Sequence, residues 1–213
     1  MILGDGPLAQ ALRYHHPDTP FIWVAYDTPI RADGRPDTNY ILRNLAIELP
    51  AREPADIVIS SQLPVGTAAN LAIVYPQHTF AVLPENVRAS HAVDDWANQP
   101  RIIIGTYSDD LYYTVADLLY TCSSLFLHTD PTTAEFTKHA LNAYLALTVT
   151  YATQIANLGE SLGVNVDTVA TSMKADPRVG WNAYLNPEGT PGRHLLRDVN
   201  VLRDLGLPIL ENL

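Results

Sequence analysis

Short runs of consecutive apolar residues recur along the first half of the chain. A run that is apolar at every position is typical of a strand buried on both faces, as in a parallel sheet. The first segment, MILGDG (1–6), also predicts a strand, and this strand turns at two glycines. The other predicted strands are FIWVAYD (21–27), DIVISSQ (56–62), TFAVLPE (79–85) and RIIIGT (101–106).

Segments with helical spacing of apolar residues lie between these runs. In PLAQALRYHH (7–16), Leu8, Ala11 and Leu12 fall on one side of a helix. Strands that alternate with helices indicate an α/β domain with a parallel sheet. The other segments predicted to be helices here are NYILRNLAIEL (39–49) and DDLYYTVADLLYTC (109–122).

A much longer helix is predicted in the second half of the chain. Asp130 can cap its N-terminus, Pro131 suits its first position and Gly163 can form its C-cap. At about 1.5 Å per residue the helix would be about 48 Å long, and it is apolar on more than one face. A second chain would bury that surface, so the sequence predicts a homodimer through helix 131–162. VDTVATSMKAD (166–176) predicts a shorter helix.

The composition narrows the classes of function. Of the 213 residues 47% are hydrophobic, which suffices for a sizeable core and excludes a disordered chain. The net charge of −10 at pH 7 argues against nucleic acid or an anionic membrane as a partner. Because no long apolar run and no basic N-terminal segment is present, we expect neither a bilayer span nor a secretory signal. The single cysteine, Cys122, cannot form an internal disulfide, which favours a reducing, cytoplasmic setting.

The turn GDGPLA (4–9) is the first candidate for chemistry. It fits the pattern G-x-G-x-x-A between a strand and a helix. In that pattern the glycines let the backbone approach a pyrophosphate, and the helix N-terminus offers free N–H groups. A tight strand-to-helix turn without a ligand explains the same residues. Asp27 has about the right spacing to hold the ribose of a dinucleotide.

Six segments match, in order, the motifs of one known family. FIWVAYDTPIRADGRPDTNYI (21–41) resembles a TP…DG…D segment that follows the fourth strand of that family's nucleotide fold. Together the segments cover nearly the whole chain, which therefore resembles the UDP-glucose/GDP-mannose dehydrogenase family. The other matching segments are SSQLPVGT (60–67), LPENVRASHAVDDWANQPRIIIG (83–105), AEFTKHALNAYLAL (134–147), DPRVG (176–180) and GTPGRHLLRD (189–198).

The resemblance implies a shortened Rossmann-like domain. Only residues 10–20 separate the glycine turn from the TP segment, where the family has two further strands and a helix. The family's strand order 3-2-1-4-5-6 would become 1-4-5-6. The nicotinamide half of a site for NAD or NADP would survive. The adenosine half would lose its floor, which predicts weakened or lost cofactor binding. Asp27 would then lie near the nicotinamide end, where it cannot hold the ribose.

The expected architecture is a reduced Rossmann-like parallel sheet (1–128) followed by a long helix and an all-helical dimerisation domain (129–213). Because the chain stops at Leu213, we expect the family's third domain, which grips the nucleotide of the sugar substrate, to be absent. The resemblance also implies a set of cofactor contacts. These are Gly4, Gly6, Pro7, Leu8, Thr28, Pro29, Ser61 and Gln62.

The resemblance implies catalytic positions as well. Lys138 and Asn142 are four residues apart, so they share a helix face and could both donate to a developing alkoxide. Glu85, Asp198 or His194 would handle the proton. Ordinary surface or capping chemistry explains each of these residues equally. The implied substrate contacts are Arg178, Gly192 and Arg88.

Three positions depart from the family pattern. Gln62 replaces a threonine, Ala89 replaces a second glutamate and His194 replaces the nucleophilic cysteine. The family oxidises a sugar alcohol to a carboxylate in two hydride transfers, and the second transfer needs a thiohemiacetal. His194 would form only weak or labile adducts, but it could act as a general base. Alternatively, it could simply fill the vacated pocket. Cys122 lies in an earlier helix, where a buried, inert thiol is expected.

Two functions follow from these observations. The first is an NAD(P)-dependent oxidoreductase that is limited to one hydride transfer on an alcohol or carbonyl of a small, sugar-like or nucleotide-sugar-like substrate. The second is a non-catalytic dimeric binding or scaffold protein derived from the same family. No metal site is expected, because the histidines show no ligand spacing with a carboxylate or a thiol.

Overall fold

A computed structural model describes residues 1–85, 87–185 and 189–208. The chain divides into two compact units, Met1–Lys138 and His139–Leu213. In the described part of the chain, no helix combines the length and apolarity that a bilayer crossing requires.

The first unit contains a six-stranded sheet whose strands follow one another in sequence order. All neighbouring strands are parallel except the fourth and fifth, which are antiparallel. This arrangement confirms the predicted α/β class. The strands are β1 (Ile2–Leu3), β2 (Ile22–Val24), β3 (Asp56–Ile59), β4 (Thr79–Val82), β5 (Ile102–Thr106) and β6 (Phe126–Thr129).

Helices cover both faces of this sheet, which explains why its strands read as continuous apolar runs. The helices are α1 (Pro7–His15), α2 (Thr38–Glu48), α3 (Thr67–Val74), α4 (Ala92–Ala97) and α5 (Asp109–Leu119), with a 3₁₀ turn at Ala89–His91. Neighbouring residues of β2 belong to different cores. Trp23 packs with residues of α1, α4 and α5, whereas Ile22 and Val24 pack with residues of α2 and α3.

The predicted loss of two strands is visible at β1. This strand pairs directly with β2, with Ile2 opposite Trp23, and β2 is the strand that carries the TP motif. The main-chain oxygens of Met1 and Leu3 accept hydrogen bonds from β2. The outward-facing oxygens of Ile2 and Gly4 accept hydrogen bonds from the Arg13 guanidinium instead. The edge where the family's second strand would add is therefore covered by one side chain.

The sheet also has two strands beyond the expected order of four. RIIIGT was predicted to be a strand, but its antiparallel pairing with β4 was not. Residues 126–129 were not predicted to be a strand. β6 lies at the other edge of the sheet and has two exposed residues and two half-buried ones, so it shows no apolar run.

The long helix α6 (Pro131–Ser161) begins against the end of β5. Asp130 caps it, as predicted, because its Oδ1 accepts a hydrogen bond from the Thr133 N–H at 2.9 Å. A Cβ atom on Gly105 would lie 2.5 Å from the Cβ of Ala134. The absence of a side chain at Gly105 therefore allows α6 to start this close to the sheet.

The described part of the second unit contains three helical stretches joined by turns and irregular segments. They comprise the rest of α6, α7 (Val166–Ala175) and α8 (Arg193–Asp204). A small core of Ala143, Ala146, Val199 and Leu202 joins α6 to α8. α8 was not among the individual helices that the sequence predicted.

Candidate functional site

The carboxyl ends of β1, β2 and β3 bring three loops to one edge of the sheet, because these strands are parallel. The first loop is the Gly4–Gly6 turn, which leads into α1. Gly4 has a φ of +117°, and a Cβ atom there would lie 2.3 Å from the main-chain oxygen of Ala25. A Cβ on Gly6 would lie 3.1 Å from the Cβ of Asp27. Close packing of the turn on the segment after β2 thus requires a glycine at position 4, and a side chain at position 6 would press on Asp27.

The other two loops are fixed to each other. The hydroxyl of Thr28, which is buried, donates to the main-chain oxygen of Gln62 at 2.9 Å. The Ser61 hydroxyl donates to the main-chain oxygen of Tyr26 at 3.0 Å. The loops after β2 and β3 therefore form one surface next to the glycine turn.

The residues along this edge fit part of a dinucleotide. Gly6 is the N-cap of α1, so the helix N-terminus opens beside the turn. On the far side of β1, the described residues contribute no strand that could carry a ribose-binding carboxylate. Asp27 follows β2 and packs beside Gly6. This edge can therefore hold part of a dinucleotide, and the described residues beyond β1 provide no surface for the rest of it.

A buried ion pair lies at the carboxyl end of β4, which belongs to the same sheet edge. Lys138 Nζ lies 2.8 Å from Glu85 Oε1, and the two side chains are only 10% and 15% exposed. Lys138 also donates to the main-chain oxygen of Glu85. The other carboxylate oxygen, Oε2, accepts the Val87 N–H at 2.7 Å. Lys138 and Glu85 belong to two different family motifs that are 53 residues apart, and the fold of the first unit brings them into contact.

A second carboxylate, Glu135, anchors α6 in the first unit and was missed by the sequence analysis. Its two oxygens accept the N–H groups of Gly66 at 2.5 Å and Ala68 at 2.9 Å, at the start of α3. Glu135 is buried, so these bonds offset the cost of removing its charge from water. Its place in the matching segment AEFTKHALNAYLAL (134–147) could have drawn attention to it, but could not have named its partners.

The second unit contains a buried polar cluster around Asp198. Its Oδ1 accepts a hydrogen bond from His139 Nδ1 at 2.5 Å, and its Oδ2 accepts one from Asn142 Nδ2 at 2.7 Å. Asp198 and His139 are almost completely buried. Asn142 and Asp198 were predicted to act at one site, and they are in direct contact. His139 was considered only as a metal ligand, so its role as the second partner was missed.

The remaining residues predicted to act in catalysis or to bind substrate lie at exposed positions. His194 is exposed in the first turn of α8, where it makes no side-chain hydrogen bond within the described part of the chain. Gly192 is the N-cap of that helix. Arg178 donates to Asp176 at 2.6 Å, and Arg88 donates to Asp95 at 2.7 Å. The bonds from Arg88 lower the pKa of Asp95 to about 2.

Comparison with known proteins adds two matches to family models. Residues 10–122 match the NAD binding domain of the UDP-glucose/GDP-mannose dehydrogenase family, and residues 132–206 match the central domain of that family.

Individual relatives agree with these matches. The chain is 28% identical to a UDP-glucose 6-dehydrogenase of Bacillus subtilis over 189 residues, which are 85% of this chain and 43% of that protein. It is 31% identical to a UDP-glucose 6-dehydrogenase of Rhizobium meliloti over 174 residues, which are 75% and 39% of the two chains. A UDP-glucose dehydrogenase structure from Pyrobaculum islandicum aligns with a TM-score of 0.76 at 25% identity, covering 88% of this chain and 46% of that one. The chain thus spans less than half the length of these relatives.

Proposed function

Because the chain belongs to the UDP-glucose/GDP-mannose dehydrogenase family, we propose that it is an NAD(P)-dependent oxidoreductase that transfers one hydride between a nicotinamide cofactor and an alcohol or carbonyl substrate. The observation that carries this proposal is the buried Lys138–Glu85 pair, at the sheet edge that also holds the glycine turn. A substrate of the sugar or nucleotide-sugar class is part of the proposal, by analogy with the names of the relatives.

The cofactor would be held by the three loops at the carboxyl ends of β1, β2 and β3. Gly4 and Gly6 add no side chains on either side of Asp5, and the hydrogen bond between Thr28 and Gln62 holds the next two loops together. A bound nicotinamide would supply the hydride acceptor. The chain's own contribution is to orient that ring and to manage charge and protons beside it.

Lys138 and Glu85 are suited to managing charge and protons beside the nicotinamide ring. Oxidation of a CH–OH group releases one hydride and one proton, and negative charge develops on the oxygen as the proton leaves. The Lys138 ammonium would stabilise this charge in a largely water-free environment. The Glu85 carboxylate, 2.8 Å from Lys138 Nζ, would accept the proton.

The restriction to one hydride transfer rests on position 194. A second oxidation in this family needs a thiolate at that position, and His194 carries an exposed imidazole instead. The nearby carboxylate of Asp198 is engaged by His139 and Asn142. This cluster would therefore support α6 and α8 rather than form a covalent intermediate.

The non-catalytic alternative keeps one structural argument. Arg13 occupies the outward carbonyls of β1, where the adenosine half of the family site would be built. If the loss of this half abolishes cofactor affinity, the chain would keep the family fold without its chemistry.

Titration with NADH and NADPH, followed by nicotinamide fluorescence, separates the two functions. We expect saturable binding that weakens from wild type to Gly6→Ala and further to Gly6→Leu, because a growing side chain obstructs the turn. No binding at millimolar cofactor would end the oxidoreductase proposal and favour the scaffold function.

We also propose that the protein is a homodimer through α6. Tyr144, Tyr151 and Leu158 recur every seven residues on that helix and are all exposed, which is the spacing of a paired helical seam. Light scattering should give twice the mass of one chain. The double variant Tyr144→Glu/Tyr151→Glu should be monomeric, whereas Tyr113→Glu, an exposed tyrosine on α5, should stay dimeric. A monomeric wild type would contradict the proposal.

A further inference from the structure

A buried histidine lies at the end of the helix that carries the glycine turn. His16 directly follows α1 and is only 8% exposed. The ring of His16 packs beside two indoles that also contact each other, with centroids 5.8 Å from Trp23 and 6.1 Å from Trp96. Trp96 Nε1 donates a hydrogen bond to His16 Nε2 at 3.0 Å. This bond connects α1 to α4.

The bond fixes the protonation state of the imidazole. An indole N–H can only donate, so His16 Nε2 must be an acceptor and the ring must be neutral. A proton added at Nε2 would place two N–H donors against each other at 3.0 Å. Trp96 is completely buried and cannot turn towards water. Burial of the ring, followed by the charge of His15, lowers the pKa of His16.

The groups around His16 offer no compensation for a positive charge. The Cys122 sulfur lies 4.0 Å from Nε2, and burial raises the pKa of that thiol, so it stays neutral. On the sheet side, Trp23 directs its own N–H to Ser60. Within the described part of the chain, no carboxylate makes a hydrogen bond or an ion pair with His16.

His15 makes a second contact between α1 and α4, and it responds differently to protonation. Its Nε2 lies 2.9 Å from the main-chain oxygen of Val93 at the start of α4. A carbonyl can only accept, so Nε2 is the donor and remains one when the ring is protonated. Protonation of His15 therefore preserves its contact, whereas protonation of His16 breaks one.

The contact between His16 and Trp96 holds a terminal segment at one edge of the sheet, whose Ala9, Ala11 and Leu12 are buried. Residues 1–16 comprise the two-residue strand β1 at the sheet edge and α1 behind it. Short terminal segments at an edge open with a smaller free energy than the core. The Gly4–Gly6 turn lies in the middle of this segment, so opening of the segment removes the turn from the sheet edge.

We propose that His16 is a pH-operated latch, whose protonation raises the fraction of molecules in which residues 1–16 have opened from α4 and the glycine turn is lost. The consequence for cofactor binding rests on the proposed function, but the opening itself does not. Below the usual histidine pKa of about 6.5, the released segment binds more protons than the closed one, so closure weakens as the pH falls. At pH 5.5 the opening equilibrium would be up to about tenfold higher than at pH 7.5.

Hydrogen exchange of the full chain tests the latch without any cofactor. Protection factors of residues 1–16 in wild type should fall by up to about tenfold between pH 7.5 and pH 5.5, while those of β5 stay constant. His16→Gln should remove this pH dependence, because the amide oxygen accepts from Trp96 and does not titrate. His15→Gln, the matched control, should retain it. Equal pH dependence in wild type and His16→Gln would overturn the proposal.

A second variant covers the case in which His16→Gln does not fold. Trp96→Phe removes the opposing donor, so protonation of His16 costs less and the pH dependence of protection should shrink. An unchanged dependence in this variant would also overturn the latch. NADH binding at both pH values provides a separate measurement, and its affinity should fall only in proportion to the loss of closed molecules. Absence of NADH binding at both pH values would contradict the proposed function, while the exchange result would still decide the latch.

Discussion

Replacing Lys138 by alanine should lower kcat/KM by about 10²- to 10³-fold, the usual effect of removing one donor from a developing oxyanion. The ammonium of Lys138 is largely buried beside Glu85, so water cannot substitute for its charge. Steady-state oxidation of an alcohol substrate, followed by NADH absorbance, would measure the loss. Lys174→Ala, at the only other lysine, is the matched control and should keep the wild-type rate.

The same substitution leaves the Glu85 carboxylate without its partner, and this would destabilise the fold independently of any catalytic effect. The double variant Lys138→Met/Glu85→Gln removes both charges and should recover thermal stability. If Lys138 acts in the reaction, activity should stay low in this double variant even though its stability is restored. A rate that returns with stability would show that the pair is structural, and an unchanged rate in Lys138→Ala would remove it from the proposed mechanism.

Gly4→Ala should destabilise the first unit by about 4 kcal/mol, through backbone strain and a steric clash together. The φ of +117° is unfavourable for any residue with a side chain, and the new Cβ would lie 2.3 Å from the main-chain oxygen of Ala25. The backbone of β2 cannot move away without breaking the sheet. Denaturant unfolding followed by circular dichroism would measure the change.

Gly66→Ala is the control for this experiment. Gly66 also has a positive φ, of +89°, but a Cβ there would meet nothing within 4 Å. Only the backbone term applies at that position, so the expected cost is about 1 kcal/mol. Equal destabilisation by the two variants would show that the turn relaxes away from Ala25.

Much of the sheet could be predicted because β2, β3 and β4 are buried on both faces. In β2 the neighbours Trp23 and Val24 pack into opposite cores, which produces a continuous apolar run in the sequence. β6 could not be predicted in this way, since it lies at an edge and exposes Leu127 and His128. The antiparallel pairing of β5 with β4 could not be predicted either, because the pattern of apolar residues in a strand does not specify the direction of its neighbour.

The candidate site was predicted from motifs rather than from geometry. The family resemblance named Lys138 and Glu85, and the structure places them in contact. It did not reveal Glu135, whose partners lie 67 and 69 residues away in the chain. The bond between His139 and Asp198 similarly spans 59 residues. Such pairings depend on how helices and loops meet in space, which the spacing of residues along one helix does not encode.

The edge at β1 makes the short sheet extendable, because one side chain rather than a strand covers it. The connection from His16 to Phe21 lies where a longer relative would insert further strands, and within the described residues two outward carbonyls of this edge accept hydrogen bonds from Arg13. Strands grafted into this connection could add outside β1 without crossing any existing loop. Converting this compact form into a complete nucleotide fold is therefore an insertion at one point, and the other five strands could keep their present neighbours.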